Sequence, residues 1–228
     1  MPNSPLRPNA RAKLLDAALS VIRSKGYAAT TVDLLCETAG VTKGAFFHHF
    51  ESKDELGVAA AQHWSDTTGE LFAGAPYHHH ARPLDRVLGY LEFRKALLQG
   101  TVPEFSCLVG TMVQEAYHSI PAIREACERS ISEHAATLEA DLKDAMRGHG
   151  ISPGCTAQSL ALHSQAVLQG AFILAKAKGG PEVAAESIDH LIRYLELLFL
   201  SKKTAKVSSN RKQKPTMRNA TPSPGARR

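Results

Sequence analysis

Apolar residues recur along this chain at three- and four-residue intervals, and that spacing predicts helices almost throughout. Leu14, Leu15, Ala18, Leu19 and Ile22 form one stripe of a helix over 11–25, which Gly26 ends. The hydroxyls of Thr30 and Thr31, with Asp33 close behind, cap a two-turn helix that buries Val32, Leu35 and Cys36 before Ala39-Gly40. A third short segment runs from Val41-Thr42 to His49 and sets Phe46 and Phe50 on the same side. Two short helices joined by Ala39-Gly40-Val41 have the spacing of a helix-turn-helix, with glycine supplying the sharp turn.

Ser52-Lys53-Asp54-Glu55 has capping-box form and opens a long helix toward Phe72, stopped by Gly74, Ala75 and Pro76. Further helices are expected at 84–99, 107–118, 122–147, 156–178 and 182–200, with Gly or Pro in most gaps. No stretch alternates as a strand. The last two helices carry wide apolar faces, Val167, Leu168, Ala171, Phe172 and Ala175, then Ala184, Ile188, Leu191, Ile192, Leu195, Leu198 and Phe199. Faces of that width predict a four-helix interface with a second copy, hence a homodimer through 156–178 and 182–200.

Composition narrows the class. With 228 residues, 43% apolar, the chain can bury a substantial core. No apolar run approaches the roughly 20 residues of a membrane span, and MPNSPLRPNAR lacks the apolar stretch of a signal peptide, so a soluble cytoplasmic protein without a membrane partner is expected. Cys36, Cys107, Cys127 and Cys155 show no C-x-x-C spacing, which suggests reduced thiols rather than a disulfide framework or zinc site. The net charge of +5 misleads: nine of the 27 basic residues lie in 201–228, which has no Asp or Glu, leaving 18 basic against 22 acidic before it. Any case for DNA therefore rests on local chemistry rather than on overall charge. Phosphate-binding glycine loops and the nucleophile elbow are absent, and no cofactor is implied.

Thr30-Thr31-Val32, the run from Ala39 through Phe50, and Ser52-Lys53-Asp54-Glu55-Leu56 closely resemble the DNA-binding signature of TetR-family transcriptional regulators. The resemblance is specific over about the first sixty residues because apolar, glycine and polar positions agree at fixed spacing. It implies an all-α fold, an N-terminal three-helix helix-turn-helix DNA-binding domain joined to a C-terminal helical ligand-binding and dimerisation bundle. The boundaries expected are a disordered 1–8, the DNA-binding domain at 9–52, the bundle at 53–200 and a disordered basic tail at 201–228.

A recognition helix must present small or polar side chains to the major groove while its other face stays buried, and Thr42 to His49 meets that condition. Gly44 permits close approach to DNA or to the preceding helix, Ala45 suits a thymine methyl, and Lys43 suits a guanine edge or a phosphate, its bland alternative being a solvated lysine. Thr31 can give its hydroxyl to a phosphate or serve as an ordinary N-cap. Lys53 puts positive charge at a helix start, a cost that a nearby phosphate would remove. By resemblance, His48 lies near the groove, and Phe47 stands where the family usually has a phosphate-contacting tyrosine, so that hydroxyl is missing here.

His78, His79 and His80 form the most metal-like run, yet they lie between prolines without a spaced carboxylate set, and a solvated loop accounts for them. Cys107 at a helix start is either an electrophile or oxidant sensor or a small buried hydrophobe. Trp64, Phe93, Phe105, Met112, Tyr117 and His163, with Cys107, are candidate walls of an effector cavity, though core packing explains each singly. The function expected is a homodimeric repressor released from a palindromic double-stranded DNA operator by a small molecule. Two alternatives stand beside it: a Cys107-dependent enzyme with His118 or His163 as base, and a nonspecific nucleic-acid binder driven by the basic tail.

Overall fold

The computed structural model describes residues 9–151 and 154–210, with side-chain surroundings through residue 199. Eleven α-helices are found among them: α1 (Ala10–Lys25), α2 (Val32–Ala39), α3 (Lys43–His49), α4 (Lys53–Ala73), α5 (Pro83–Ala96), α6 (Val102–Phe105), α7 (Leu108–Ala116), α8 (Pro121–Ala136), α9 (Glu139–His149), α10 (Ala157–Lys178) and α11 (Glu182–Asn210). The described residues contain no strand.

The first three helices, α1 to α3, make a head that forms for local reasons. Thr31, Thr42 and Ser52 each occupy an N-cap and accept from the amide three residues on, Leu34 at 3.2 Å, Ala45 at 3.1 Å and Glu55 at 3.1 Å. Gly40 closes α2 in the left-handed region, φ +63°, where a side chain would be strained. Phe46 and Phe50 are buried against Leu14, Ala18, Ile22 and Leu35.

That core does not stop at α3. Leu56, Ala60 and Ala61 of α4, Leu108, Val109, Met112 and Ala116 of α7, and Ile123, Ala126 and Cys127 of α8 belong to the same apolar cluster. Gly57 lets α4 approach so closely that an added methyl would stand 2.9 Å from Ile123 Cδ1 and 3.0 Å from Tyr27 Cε2. A second cluster gathers the end of α4 with α5, α9, α10 and α11 around Phe72, Tyr90, Leu91, Leu168, Phe172, Leu191 and Leu195. Among the described residues there are thus two apolar clusters, and α4 contributes to both.

Three expectations about elements are corrected. The single helix over 122–147 is two, because Thr137 and Leu138 bond back to the carbonyls three residues earlier and the Thr137 hydroxyl takes the His134 carbonyl at 2.7 Å. A short helix, α6, was hidden in Thr101-Val102-Pro103-Glu104, where the Glu104 carboxylate accepts from both the amide and the hydroxyl of Thr101. The last helix continues ten residues past Leu200 to Asn210, since Lys202, Lys203, Ala205 and Lys206 are good helix formers and no proline intervenes before Pro215. The expectations for 1–8 and 211–228 lie outside the described residues.

Candidate DNA-binding helix and internal cavity

The outer face of α3 is open. Thr42, Lys43, Gly44, Phe47 and His48 are exposed, with Phe47 at 57%, while Ala45 and His49 are half-buried and Phe46 is fully buried. A methyl built on Gly44 would meet only the Thr42 hydroxyl, at 3.7 Å, so protein packing does not require glycine there. Lys43 is not a loose lysine: its Nζ lies 2.6 Å from Asp33 Oδ1 of α2, and that carboxylate raises the lysine pKa above its ordinary value. Thr31 is exposed and already serves as the cap of α2.

Lys53 departs from the sequence reading. Its Nζ donates to the Tyr27 carbonyl at 3.2 Å and stands 4.4 Å above the Tyr27 ring, and Asp54 and Glu55 in the same turn offset the positive helix start. Tyr27 in turn donates to Asp54 at 2.5 Å, and burial followed by that bond pushes the phenol pKa up. The Lys53 charge is therefore held by the protein itself and ties α4 to the α1–α2 loop.

Of the seven residues expected to wall a cavity, the structure brings together two. Trp64 of α4 and Cys107 at the N-cap of α7 line a cavity of about 200 Å³, together with Arg94 of α5, Ser130 and His134 of α8, and Gln165 and Phe172 of α10. Met112 is sealed in the first core, Phe93 packs on Phe72 and Tyr77, and Phe105 packs on Phe172 outside the lining. Tyr117 is 60% exposed, and His163 is exposed and meets Tyr194 edge to face. Which helical faces meet depends on packing that periodicity does not encode.

The residues missed include the apolar walls Val109, Ile131 and Phe172 and, of more chemical weight, the polar ones. Gln165 sits at 4% exposure within the apolar stripe Ala161, Leu168, Phe172, and Ser130 and His134 continue the buried positions of Ile123 and Cys127. Polar residues at buried helical positions were the available signal. Around them runs a network in which Arg94 Nε and Gln165 Nε2 donate to the Tyr90 hydroxyl at 3.0 and 3.1 Å, and Arg94 Nη2 donates to His134 Nε2 at 2.7 Å. A guanidinium has only donors, so His134 carries its proton on Nδ1 and is neutral. Burial, and then the Arg94 charge, lower its pKa to about 3.

A pH dependence follows. Between about 6.5 and 3 an unfolded His134 binds a proton that the folded one refuses, so stability is lost as pH is lowered through that window, by up to about 1.4 kcal/mol per pH unit from this one group. Urea midpoints measured from neutral to mildly acid pH are expected to fall less steeply for His134→Gln than for the unaltered chain. Parallel slopes would refute the assignment.

Cys107 accepts from the Gly110 amide at 3.5 Å and is half-buried beside the cavity, whereas Cys36 and Cys127 are buried. Burial pushes the Cys127 thiol up to about 12, with Cys107 adding to the shift. The histidine run forms a short 3₁₀ turn over Pro76–His79, in which His78 Nε2 lies 3.0 Å from the Phe72 carbonyl. Among the described residues no group of three or more His, Cys, Asp or Glu is placed to hold a metal ion, and no helix is long and apolar enough to cross a membrane.

Comparison with known proteins places this geometry. Residues 14–60 match the model of bacterial regulatory proteins of the tetR family, and residues 83–183 match the C-terminal domain of LmrA/YxaF-like transcriptional regulators. The chain is 28% identical to the HTH-type transcriptional regulator BetI of Rhizobium meliloti over 79% of its own length and 85% of that relative. It is also 28% identical to the transcriptional regulator AcuR of Cereibacter sphaeroides, over 46% of its length and about half (48%) of that relative. Among solved structures, regulatory protein TetR from Rhodobacter sphaeroides superposes with a TM-score of 0.72 at 22% identity, covering 84% of this chain and 99% of that one. Reduced NemR of E. coli gives 0.69 at 21% identity, covering 80% and 94%. The families and relatives matched are transcriptional regulators and not enzymes, which sets aside the Cys107-dependent enzyme. The head, the bundle behind it and these matches agree: the chain belongs to the TetR family of bacterial transcriptional regulators.

Proposed function

We propose that the chain is a homodimeric repressor that reads a palindromic operator through the α3 face and releases it when a small molecule fills the cavity. The observation that carries this reading is the position of the cavity at the seam of the two cores. Val109 belongs to the core shared with the head, and Trp64 and Cys107 pack against it, while Phe172 belongs to the bundle core. An occupant that moves Trp64 acts directly on α4, and α4 begins at the end of α3.

A second link runs through Arg23 of α1. Its Nε donates to the Leu19 carbonyl at 2.8 Å, its Nη1 donates to the Glu104 carbonyl of α6 at 2.9 Å, and its guanidinium stands 5.2 Å over the Trp64 ring. Glu115 of α7 adds a third contact by accepting from the Ala28 amide at 2.6 Å. Release requires that the effector bind one arrangement of these contacts more tightly than the other.

In the free protein Lys43 is held by Asp33, an exposed pair that screening weakens and that a phosphate or guanine edge can displace. Thr31, Thr42, Gly44, Ala45, Phe47 and His48 complete the proposed interface, and Lys53 contributes by fixing the start of α4. Two heads reading successive major grooves place their recognition helices roughly 34 to 36 Å apart.

Selection of bound duplexes from a random pool tests the reading. A two-fold symmetric consensus is expected, and Lys43→Ala is expected to weaken binding and relax the preference at one position in each half-site. Enrichment of no sequence at all would favour the nonspecific binder driven by the basic residues of 201–228 and reject the operator reading.

A further inference from the structure

We infer that the cavity takes a small aromatic monocarboxylate, gripped at its charged end by Arg94. The inference rests on the effector reading above and adds the chemical class of the ligand.

Arg94 is a cation without a counter-charge. Both of its hydrogen-bond partners are neutral, the Tyr90 hydroxyl at 3.0 Å and the His134 imidazole nitrogen at 2.7 Å, and its guanidinium lies 4.4 Å over the Phe72 ring. Among the described residues no carboxylate stands within ion-pair distance of it. Other basic residues of the same bundle are paired: Arg86 with Asp141 at 2.6 Å and Lys95 with Asp189 at 2.6 Å. A half-buried charge facing a mostly apolar space is stabilised by whatever anion can reach it. Stacking on Phe72 and the bonds at Nε and Nη2 fix the plane of the fork before any ligand arrives, and a planar fork matches a carboxylate.

The rest of the cavity limits what carries that carboxylate. Trp64, Val109 and Phe172 are apolar walls, and an engineered cavity of about 150 Å³ holds benzene, so about 200 Å³ admits one aromatic ring with a short acidic arm. Gln165, which shares the Tyr90 hydroxyl with Arg94, and Ser130 add polar groups to the lining. Glu133, a carboxylate that also borders the cavity, is exposed and makes no ion pair with Arg94. One cation calls for one negative charge, and a dianion would be left half uncompensated.

The test uses the full chain with benzoate and cinnamate, and benzamide and cinnamamide as neutral counterparts of the same shape. Binding is read by calorimetry, and independently by the rate at which iodoacetamide alkylates Cys107, which lines the cavity; Cys155, which does not line it, is the internal reference. At least one acid is expected to bind tenfold or more tightly than its amide and to slow alkylation of Cys107 alone. Arg94→Met is expected to lose that tenfold for the acid while leaving the amide within threefold.

Equal binding of acid and amide to the unaltered chain, or acid binding that leaves Cys107 alkylation unchanged, overturns the inference whether or not the variant folds. So does failure of both acids to bind. Arg94-dependent acid binding that leaves operator affinity unchanged would keep the site and remove the release mechanism. Operator recognition by a chain that binds neither acid would do the reverse.

Discussion

Met112→Ala is expected to loosen the head, α1 to α3, about as much as Phe46→Ala, although Met112 lies on α7, far along the chain from α3. Both side chains are fully buried in one apolar cluster. Truncating a buried methionine removes transfer free energy and leaves a cavity, together about 2–5 kcal/mol, and truncating a buried phenylalanine costs about 3–5 kcal/mol. Against a total stability of roughly 5–15 kcal/mol, either change is a large fraction. Hydrogen exchange of α1 to α3 amides is the decisive measurement. Protection should fall in the head for Met112→Ala as it does for Phe46→Ala. If only α7 and α8 exchange faster, the two parts are energetically separate and the shared core is an accident of proximity.

On the homodimer proposed above, replacing Leu174 and Leu197 by aspartate should yield monomers and lower operator affinity by two orders of magnitude or more. Among the residues whose side chains are described, five of the eight exposed large apolar ones lie on α10 and α11, namely Leu162, Ile173, Leu174, Tyr194 and Leu197. On α10 the exposed positions Leu162, Ala166, Ile173 and Ala177 recur on one face, with half-buried Gly170 between them. A methyl on Gly170 would meet nothing within 4 Å, so this face is open to close approach by another helix. Because Leu174 is 46% and Leu197 68% exposed, charge at these sites leaves the protomer core intact. The loss of affinity comes from separating two half-site contacts that linkage makes mutually reinforcing, an effect of about 10²–10⁴. Sedimentation and operator titration on the same samples test it. Persistent dimers, or monomers that bind at undiminished affinity, would contradict the assignment.

The head was legible because its determinants are local. Thr31, Thr42 and Ser52 cap their helices within three residues of themselves, and the buried stripe of α1 follows from spacing alone. The break between α8 and α9 was not legible, since neither Gly nor Pro marks it and the cause is a threonine hydroxyl taking a carbonyl. The cavity was least legible. Gln165 and Tyr90 are 75 residues apart in sequence and meet only when α5 and α10 have packed. Lys53 reads in the sequence as a helix-start charge suited to a phosphate, because the sequence does not reveal that the Tyr27 carbonyl and ring stand beside it.

The apolar cluster that unites α1 to α3 with α7 and α8 has a bearing on how such proteins can be recombined. A chimaera joined at Ser52 would graft a foreign head onto Met112, Ala116, Ile123 and Cys127, side chains whose shapes were matched to a different set of neighbours. Transplanting the reading specificity of another regulator onto this scaffold is therefore better done by rewriting the outward positions of α3 than by exchanging the head as a block. Descent with altered target sequence has the same easy route, because those few outward side chains can vary while the surface beneath them is held by the body of the molecule.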